Sequence, residues 1–188
     1  LKVWSVPNDY GYIVEGSDWS QEGTLRDKLN SEKKIETDQA VSIIKGILKG
    51  LHAIHAKDVI HRALSPENVL IVEDIPKLTN FDLSYQLEDD RQTVIPEPEK
   101  LKRSAYIAPE VYKADPSLSE TADLFSVGVI FYEMLTGERP FSYSLSLEET
   151  DGRLSSQAQQ KLKNIPAYIA QLIIDLICIE ATQRPKNV

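Results

Sequence analysis

The segment Ala122 to Leu135 constrains this chain more than any other, because it is apolar on nearly every side of a helix. Leu124, Phe125, Val127, Val129, Ile130, Phe131, Met134 and Leu135 leave no polar stripe to face water. A helix of that kind belongs in the middle of a domain and must be covered all round. Gly137 and Pro140 mark its end. Two other segments can supply the cover. Ala40, Val41, Ile44, Ile47, Leu48, Leu51 and Ile54 recur at three- and four-residue steps after a candidate N-cap, Thr37. Ile169, Leu172, Ile173, Leu176 and Ile177 form a second stripe behind Asn164-Ile165-Pro166. A weaker helix is expected from Leu154 to Lys163. With 188 residues, the chain is long enough to bury about 70% of its unfolded surface around such a helix without disulfides.

Strand character is confined to short runs. Val3-Trp4 and Tyr12-Ile13-Val14 flank the turn-forming cluster Pro7 to Gly11, and Gly23-Thr24-Leu25 opens a short helix to about Asn30. Val69 to Val72 and Pro76 to Thr79 predict two small strands around a turn at Asp74. Leu87 to Arg103 is polar, charged and proline-containing, which predicts a long loop, and loops of that length are uncommon unless functional. The net charge of -8 argues against a nucleic-acid surface or a polybasic membrane anchor. No apolar stretch approaches the ~20 residues of a membrane span, so no membrane association and a cytoplasmic address are expected. Cys178, in the run Leu172 to Ile179, is expected as a small core residue without a role. His52 and His55 lie one turn apart with no third ligand in view, which speaks against a metal site.

Five motifs follow one another along this framework. His61-Arg62-Ala63-Leu64-Ser65-Pro66-Glu67-Asn68-Val69-Leu70 resembles the catalytic loop H-R-D-L-x-x-x-N of protein kinases, between a long helix and a short hairpin. Asn80-Phe81-Asp82 falls where D-F-G would, and Ala108-Pro109-Glu110 matches A-P-E. Asp123-Leu124-Phe125-Ser126-Val127-Gly128 resembles D-x-W-S-x-G, and Gln183-Arg184-Pro185 supplies a late Arg. Together they make the chain similar to the protein kinase superfamily from about Tyr12 to Pro185. Small-molecule phosphotransferases share the catalytic loop but lack A-P-E and the helix Asp, so the resemblance is to the protein-kinase branch.

The fold this implies is mainly α: a kinase C-terminal lobe, a helical bundle around a central buried helix, with small β-hairpins. Residues 1–16 would be remnant strands and hinge on the N-lobe side, and residues 17–188 the C-terminal lobe itself. The chain reads as an excised piece, and Glu15 to Glu22 would correspond to the hinge. Neither a G-x-G-x-x-G loop nor a strand Lys paired with a helix Glu occurs in it. The expected partners are therefore the N-lobe of the same protein and other protein domains.

The resemblance also implies roles. Glu110 and Arg184 would form an ion pair that ties the far end of the long loop to the C-terminal helices. Asp123 would act as an N-cap and reach the catalytic-loop backbone. Arg62 matches the Arg that often binds a phosphate on the activation loop. Thr93 and Ser104 are available hydroxyls there, though solvated polar side chains are the plainer expectation. His61 is expected as a core histidine bonded to backbone.

The catalytic positions depart from the pattern. Ala63 stands where the family has the Asp that accepts the substrate hydroxyl's proton, and Ser65 where it has a phosphate-facing Lys. Asn80 replaces the magnesium-bridging Asp, and a neutral amide oxygen is a far weaker ligand for a hard dication. Asp82 replaces a Gly, and Lys102-Arg103 the Gly-Thr of the substrate loop. Asn68 is retained. Asn68 and Asp82 are thus the candidate nucleotide-binding residues, and Asn68 and Asn80 the candidate ligands for a weakly held cation. Asp82 could stand in for the missing carboxylate from two residues on, but Ala63 has no substitute. ATP and magnesium are expected to bind weakly or not at all. A pseudokinase with a regulatory, scaffolding or nucleotide-sensing role is the expected function. An active serine/threonine kinase with unorthodox residues is the alternative.

Overall fold

The structure, a computed structural model, describes residues 4–7, 13–16, 20–81, 84–86, 104–112, 119–143 and 154–186. Its elements are β1 (Trp4–Pro7), β2 (Ile13–Gly16), α1 (Leu25–Glu32), α2 (Thr37–His55), β3 (Val59–Ile60), β4 (Val69–Val72), β5 (Ile75–Leu78), β6 (Tyr85–Gln86), α3 (Pro109–Tyr112), α4 (Thr121–Thr136), α5 (Ser156–Leu162) and α6 (Ala167–Leu176). Short 3-10 turns lie at Pro66–Asn68 and Ala181–Gln183.

The all-round apolar segment becomes α4, and every residue in it except Leu135 is buried. Helices α2 and α6 pack against it, as their stripes require. Gly128 makes the second contact close: a Cβ there would stand 2.7 Å from Leu176 Cβ and 2.8 Å from Ile177 Cγ2. Gly137 ends α4 in the left-handed region (φ 77°), and its N–H donates to Glu133 O at 2.8 Å. The carbonyl of Met134 accepts from Ile35 N at 2.8 Å, which fastens the link between α1 and α2 to the same helix end.

Helix α1 begins with a capping box in which Thr24 and Asp27 satisfy each other's backbone N–H groups. Those bonds hold the Asp27 carboxyl below its usual range. In α2 the capping position is Glu36, with Thr37 the first helical residue, so Thr37 is not the N-cap. Its buried face is Ala40, Ile43, Ile44, Ile47, Leu51 and His55, with Val41, Leu48 and Ile54 along the flanks.

The strands form three separate antiparallel pairs: β1 with β2, β3 with β6, and β4 with β5. In the last pair Val69 faces Leu78 and Val72 faces Ile75 across a turn whose Glu73 and Asp74 are both left-handed. The Glu22 carboxylate accepts from both turn amides, Glu73 N at 2.7 Å and Asp74 N at 3.3 Å. β3 and β6 pair Val59 with Gln86 and Ile60 with Tyr85, a short ladder just before the long loop expected from Leu87, which itself lies outside the described residues.

Two core expectations change. In α6, Ile169, Ile173 and Leu176 are buried, but Leu172 is 41% exposed. At about 100° per residue it sits on the edge of the stripe, where no described helix covers it. Cys178 lies beyond the end of α6 and is half-buried, with Sγ 3.5 Å from Gln183 Oε1, so it is not a core residue. Among the described residues no helix is long and apolar enough to cross a membrane.

Candidate active site

The site is built on Asp123, which is fully buried in the first turn of α4. Asp123 does not cap its own helix, where Glu120 holds the capping position. Its carboxylate instead takes three donors from elsewhere. Oδ2 accepts from His61 N at 2.9 Å, Oδ1 from Arg62 N at 2.8 Å, and His55 Nε2 lies 2.8 Å from Oδ2. A buried carboxylate needs such partners, since an unpaired one is strongly disfavoured. The consequence is conformational. Arg62 has a φ of 62°, a left-handed geometry that costs a non-glycine residue about 1–2 kcal/mol. The bond from Arg62 N to Asp123 stabilises that bend and sets the direction of the loop that follows.

The His61 ring is buried, with Nε2 3.0 Å from Thr79 O and its centroid 4.8 Å from that of Phe81. Donation from Nε2 to that carbonyl fixes the neutral tautomer, and burial pulls the imidazole below its usual proton affinity. The buried Arg62 side chain donates from Nη2 to Ser84 O at 3.3 Å.

Ala63 is half-buried at the centre of the loop, and its methyl group offers no proton acceptor. Its carbonyl accepts from Asn68 Nδ2 at 2.7 Å. Asn68 is held from both sides, its N–H donating to Ser65 O at 2.9 Å and its carbonyl accepting from Thr79 N at 3.0 Å. Asn68 Oδ1 faces Asn80, whose Nδ2 donates to it at 3.2 Å. Asn80 is exposed and left-handed (φ 60°), a region that Asn tolerates better than most residues. Ser65 is extended ahead of the 3-10 turn and hydrogen-bonds the Glu67 carboxylate. Structure thus brings Ala63, Ser65, Asn68 and Asn80 to one place. Asp82, Thr93, Lys102 and Arg103 lie outside the described residues.

As a donor set for magnesium the described residues do not fit. A hard dication prefers carboxylates. Here Asn68 Oδ1 is already bonded to an amide N–H, and Asn80 adds only a neutral oxygen. Among the described residues no group of three His, Cys, Asp or Glu side chains could hold a metal ion.

The far end of the site is anchored by Glu110 and Arg184. Arg184 Nη1 donates to Glu110 Oε1 at 2.5 Å and Nη2 to Oε2 at 3.0 Å, a two-pronged pair with both residues buried. The rest of the guanidinium donates to Thr121 O (3.0 Å), Cys178 O (2.7 Å) and Ile179 O (3.1 Å), and it lies 5.0 Å from the Phe125 ring centroid. One side chain therefore joins α3, the start of α4 and the turn after α6. Ser104, just before this region, donates its N–H to Tyr112 OH at 2.7 Å, and its hydroxyl accepts from Tyr106 N at 3.2 Å.

A second polar cluster beside the loop was missed from sequence. Arg26 of α1 donates from Nε to Glu67 (2.7 Å), from Nη1 to Glu133 (2.9 Å) and from Nη2 to Tyr106 OH (2.5 Å). Tyr106 OH in turn donates to Glu133 Oε2 at 2.5 Å. Burial opposes the charge on Arg26, but bonds to Glu133 and Glu67 outweigh it and raise its proton affinity. Burial and Glu133 likewise push the Tyr106 phenol up. Burial would raise Glu67, but bonds from Arg26, the Glu67 backbone and Ser65 together outweigh it and hold the carboxyl below its usual range. The available signal was Glu133 itself, a carboxylate inside an otherwise apolar helix that had to find a partner. His55 was missed likewise, and the matching signal was the buried Asp123.

Comparison with known proteins agrees with this geometry. The family described as "Protein kinase domain" matches residues 2–187, and the chain belongs to that family. It is 33% identical to human death-associated protein kinase 2 over 152 residues, 77% of this chain and 36% of that protein. It is 37% identical to calcium-dependent protein kinase 4 of Plasmodium falciparum over 142 residues, 73% of this chain and 25% of that protein. With serine/threonine-protein kinase PknL of Mycobacterium tuberculosis it shares 31% identity over 168 residues, 86% of this chain and 39% of that protein. The chain thus spans between a quarter and two-fifths of the length of these relatives.

Proposed function

We propose that this chain is the C-terminal lobe of a pseudokinase, a cytoplasmic module that keeps the kinase frame for regulation or scaffolding and has lost phosphoryl transfer. The observation that carries the reading is Ala63 at the centre of a loop whose backbone is anchored on either side, at His61 and Arg62 and at Asn68. The frame around it is intact: Asp123 holds the bend at Arg62, and Arg184 holds Glu110. What is missing is the chemistry. Loss of a general base typically costs ~10²- to 10⁴-fold in rate, about 3–5 kcal/mol of barrier. Replacing a metal-bridging carboxylate by Asn80 removes charge stabilisation at the transferring phosphoryl group in addition. A frame present without its reacting groups suits a surface that binds other domains, including the second lobe that would complete a nucleotide cleft. The test is phosphate transfer from labelled ATP by the purified full-length protein, alongside Asn68→Ala and Asp82→Ala. Label incorporation at the level of the protein-free control supports the reading. Turnover that both substitutions abolish overturns it and favours an active kinase.

A further inference from the structure

We infer that the cavity between α5 and α6 binds an aliphatic carboxylate, a fatty-acid-like amphiphile whose chain lies against the helices and whose anionic end meets Lys163. The cavity measures about 620 Å³, within the roughly 300–1,000 Å³ of small-molecule sites, and it shares no residue with the loop around Ala63. Its lining is aliphatic: Leu154, Leu162, Ile165, Ala170, Ile174 and Ile177. Among the described residues no aromatic ring lines it, so it offers no face on which a planar group could stack. The walls are already in place. Leu162 and Ile177 are buried, Tyr132 OH donates to Ala158 O at 3.1 Å and so fixes α5 to α4, and Ile165 N donates to Leu162 O at 3.0 Å. Ile174, by contrast, is 43% exposed, and an alkyl chain laid against it removes that apolar surface from water.

Charge selects the other end of the ligand. Lys163 is the one charged side chain among the described lining residues, and no carboxylate joins it there. It is exposed and forms no ion pair with a described residue, whereas its neighbour Lys161 is taken by Glu138. Gln159 and Gln171 are the remaining polar groups, and each already donates an amide N–H, to Leu154 O and to Asp175 Oδ1, both at 2.8 Å. An aliphatic floor with a single cation matches a chain that ends in a carboxylate. Length limits the occupant too. Helix α5 has seven residues, so its wall is about 10 Å long, the diameter of one helix. That suits a flexible chain and is too short to seat a partner's helix lengthwise. Ile177 also packs on Gly128 of α4, so an occupied cavity should tighten the α4–α6 contact and raise the melting temperature.

Decanoate is the probe, titrated calorimetrically into the full-length protein below its critical micelle concentration, with decanol and decylammonium for comparison. Decanoate should bind more tightly than decylammonium and protect α5 and α6 from hydrogen exchange. Lys163→Gln should weaken decanoate by about two- to fivefold, as for an exposed ion pair, and leave decanol unchanged. Ile174→Asp should weaken both by about tenfold, because it puts a charge where the chain lies. Both side chains are exposed, and circular dichroism checks that each variant is folded. Decanoate binding that either folded variant leaves unaltered overturns the inference. Absence of binding at millimolar decanoate, or decylammonium bound as tightly, overturns it as well. Self-association of the protein that Ile174→Asp abolishes and decanoate does not disturb would give the cavity to a second copy of the chain and overturn it too. None of these outcomes touches the pseudokinase reading, which turnover alone contradicts.

Discussion

Removing Arg184 should unfold the far end of the site. Truncation to Ala deletes both bonds to Glu110 and the donors to the Thr121, Cys178 and Ile179 carbonyls, and exposes a gap beside Phe125. The dominant loss is the buried Glu110 carboxylate left without its cation, and breaking a buried pair from one side costs about 3–5 kcal/mol. For a domain of this size each kcal/mol corresponds to about 2–4 °C, so the melting temperature should fall by roughly 6–20 °C. Thermal and denaturant unfolding of the full-length protein, with hydrogen exchange at Glu110, Val111 and Tyr112, read both the size and the place of the effect. The double change Glu110→Leu with Arg184→Met removes the stranded charge together with its partner. It should therefore be less damaging than Arg184→Ala alone. Stability of Arg184→Ala within about 1 kcal/mol of wild type, or a double variant worse than the single one, would refute the reasoning.

Gly128→Ala should destabilise by about 1–3 kcal/mol in urea unfolding, because its Cβ would overlap Leu176 and Ile177 where α4 meets α6. Asp123→Asn keeps the volume but replaces one acceptor oxygen by a donor. One of the His61 and Arg62 amides then loses its partner at about 1–3 kcal/mol, seen as faster hydrogen exchange in that loop. Burial holds His61 below its ordinary value of 6.5, so the unfolded chain takes up a proton first as pH falls. Stability attributable to His61 is constant above that value and declines below it, and His61→Phe should flatten the pH dependence of the unfolding midpoint there.

The central helix was legible because fourteen residues without a polar stripe admit one placement, and the motifs because their order along the chain is a covalent fact. The capping of α1 and the left-handed end at Gly137 follow from local chemistry in the same way. What sequence concealed was made by distant partners. Asp123 was expected partly as a cap for its own helix, and nothing local says that His55, His61 and Arg62 will take its oxygens instead. Arg26, Glu67, Tyr106 and Glu133 come from four separate segments and meet only when α1 packs beside the loop. The retained Asn68 looked available to a cation until Ala63 O and Asn80 Nδ2 were found on either side of its amide. Leu172 had the right period for the core, but period alone does not say where the cover stops.

A single-turnover measurement tests the loss of chemistry most directly. Full-length protein in excess over labelled ATP is quenched over a time course and the fate of the terminal phosphate followed, so that even one slow transfer per site would register. The account predicts label remaining on ATP at the rate of the protein-free control, unchanged by Asn68→Ala. Transfer to protein that is complete within the time course and abolished by Asn68→Ala would contradict it.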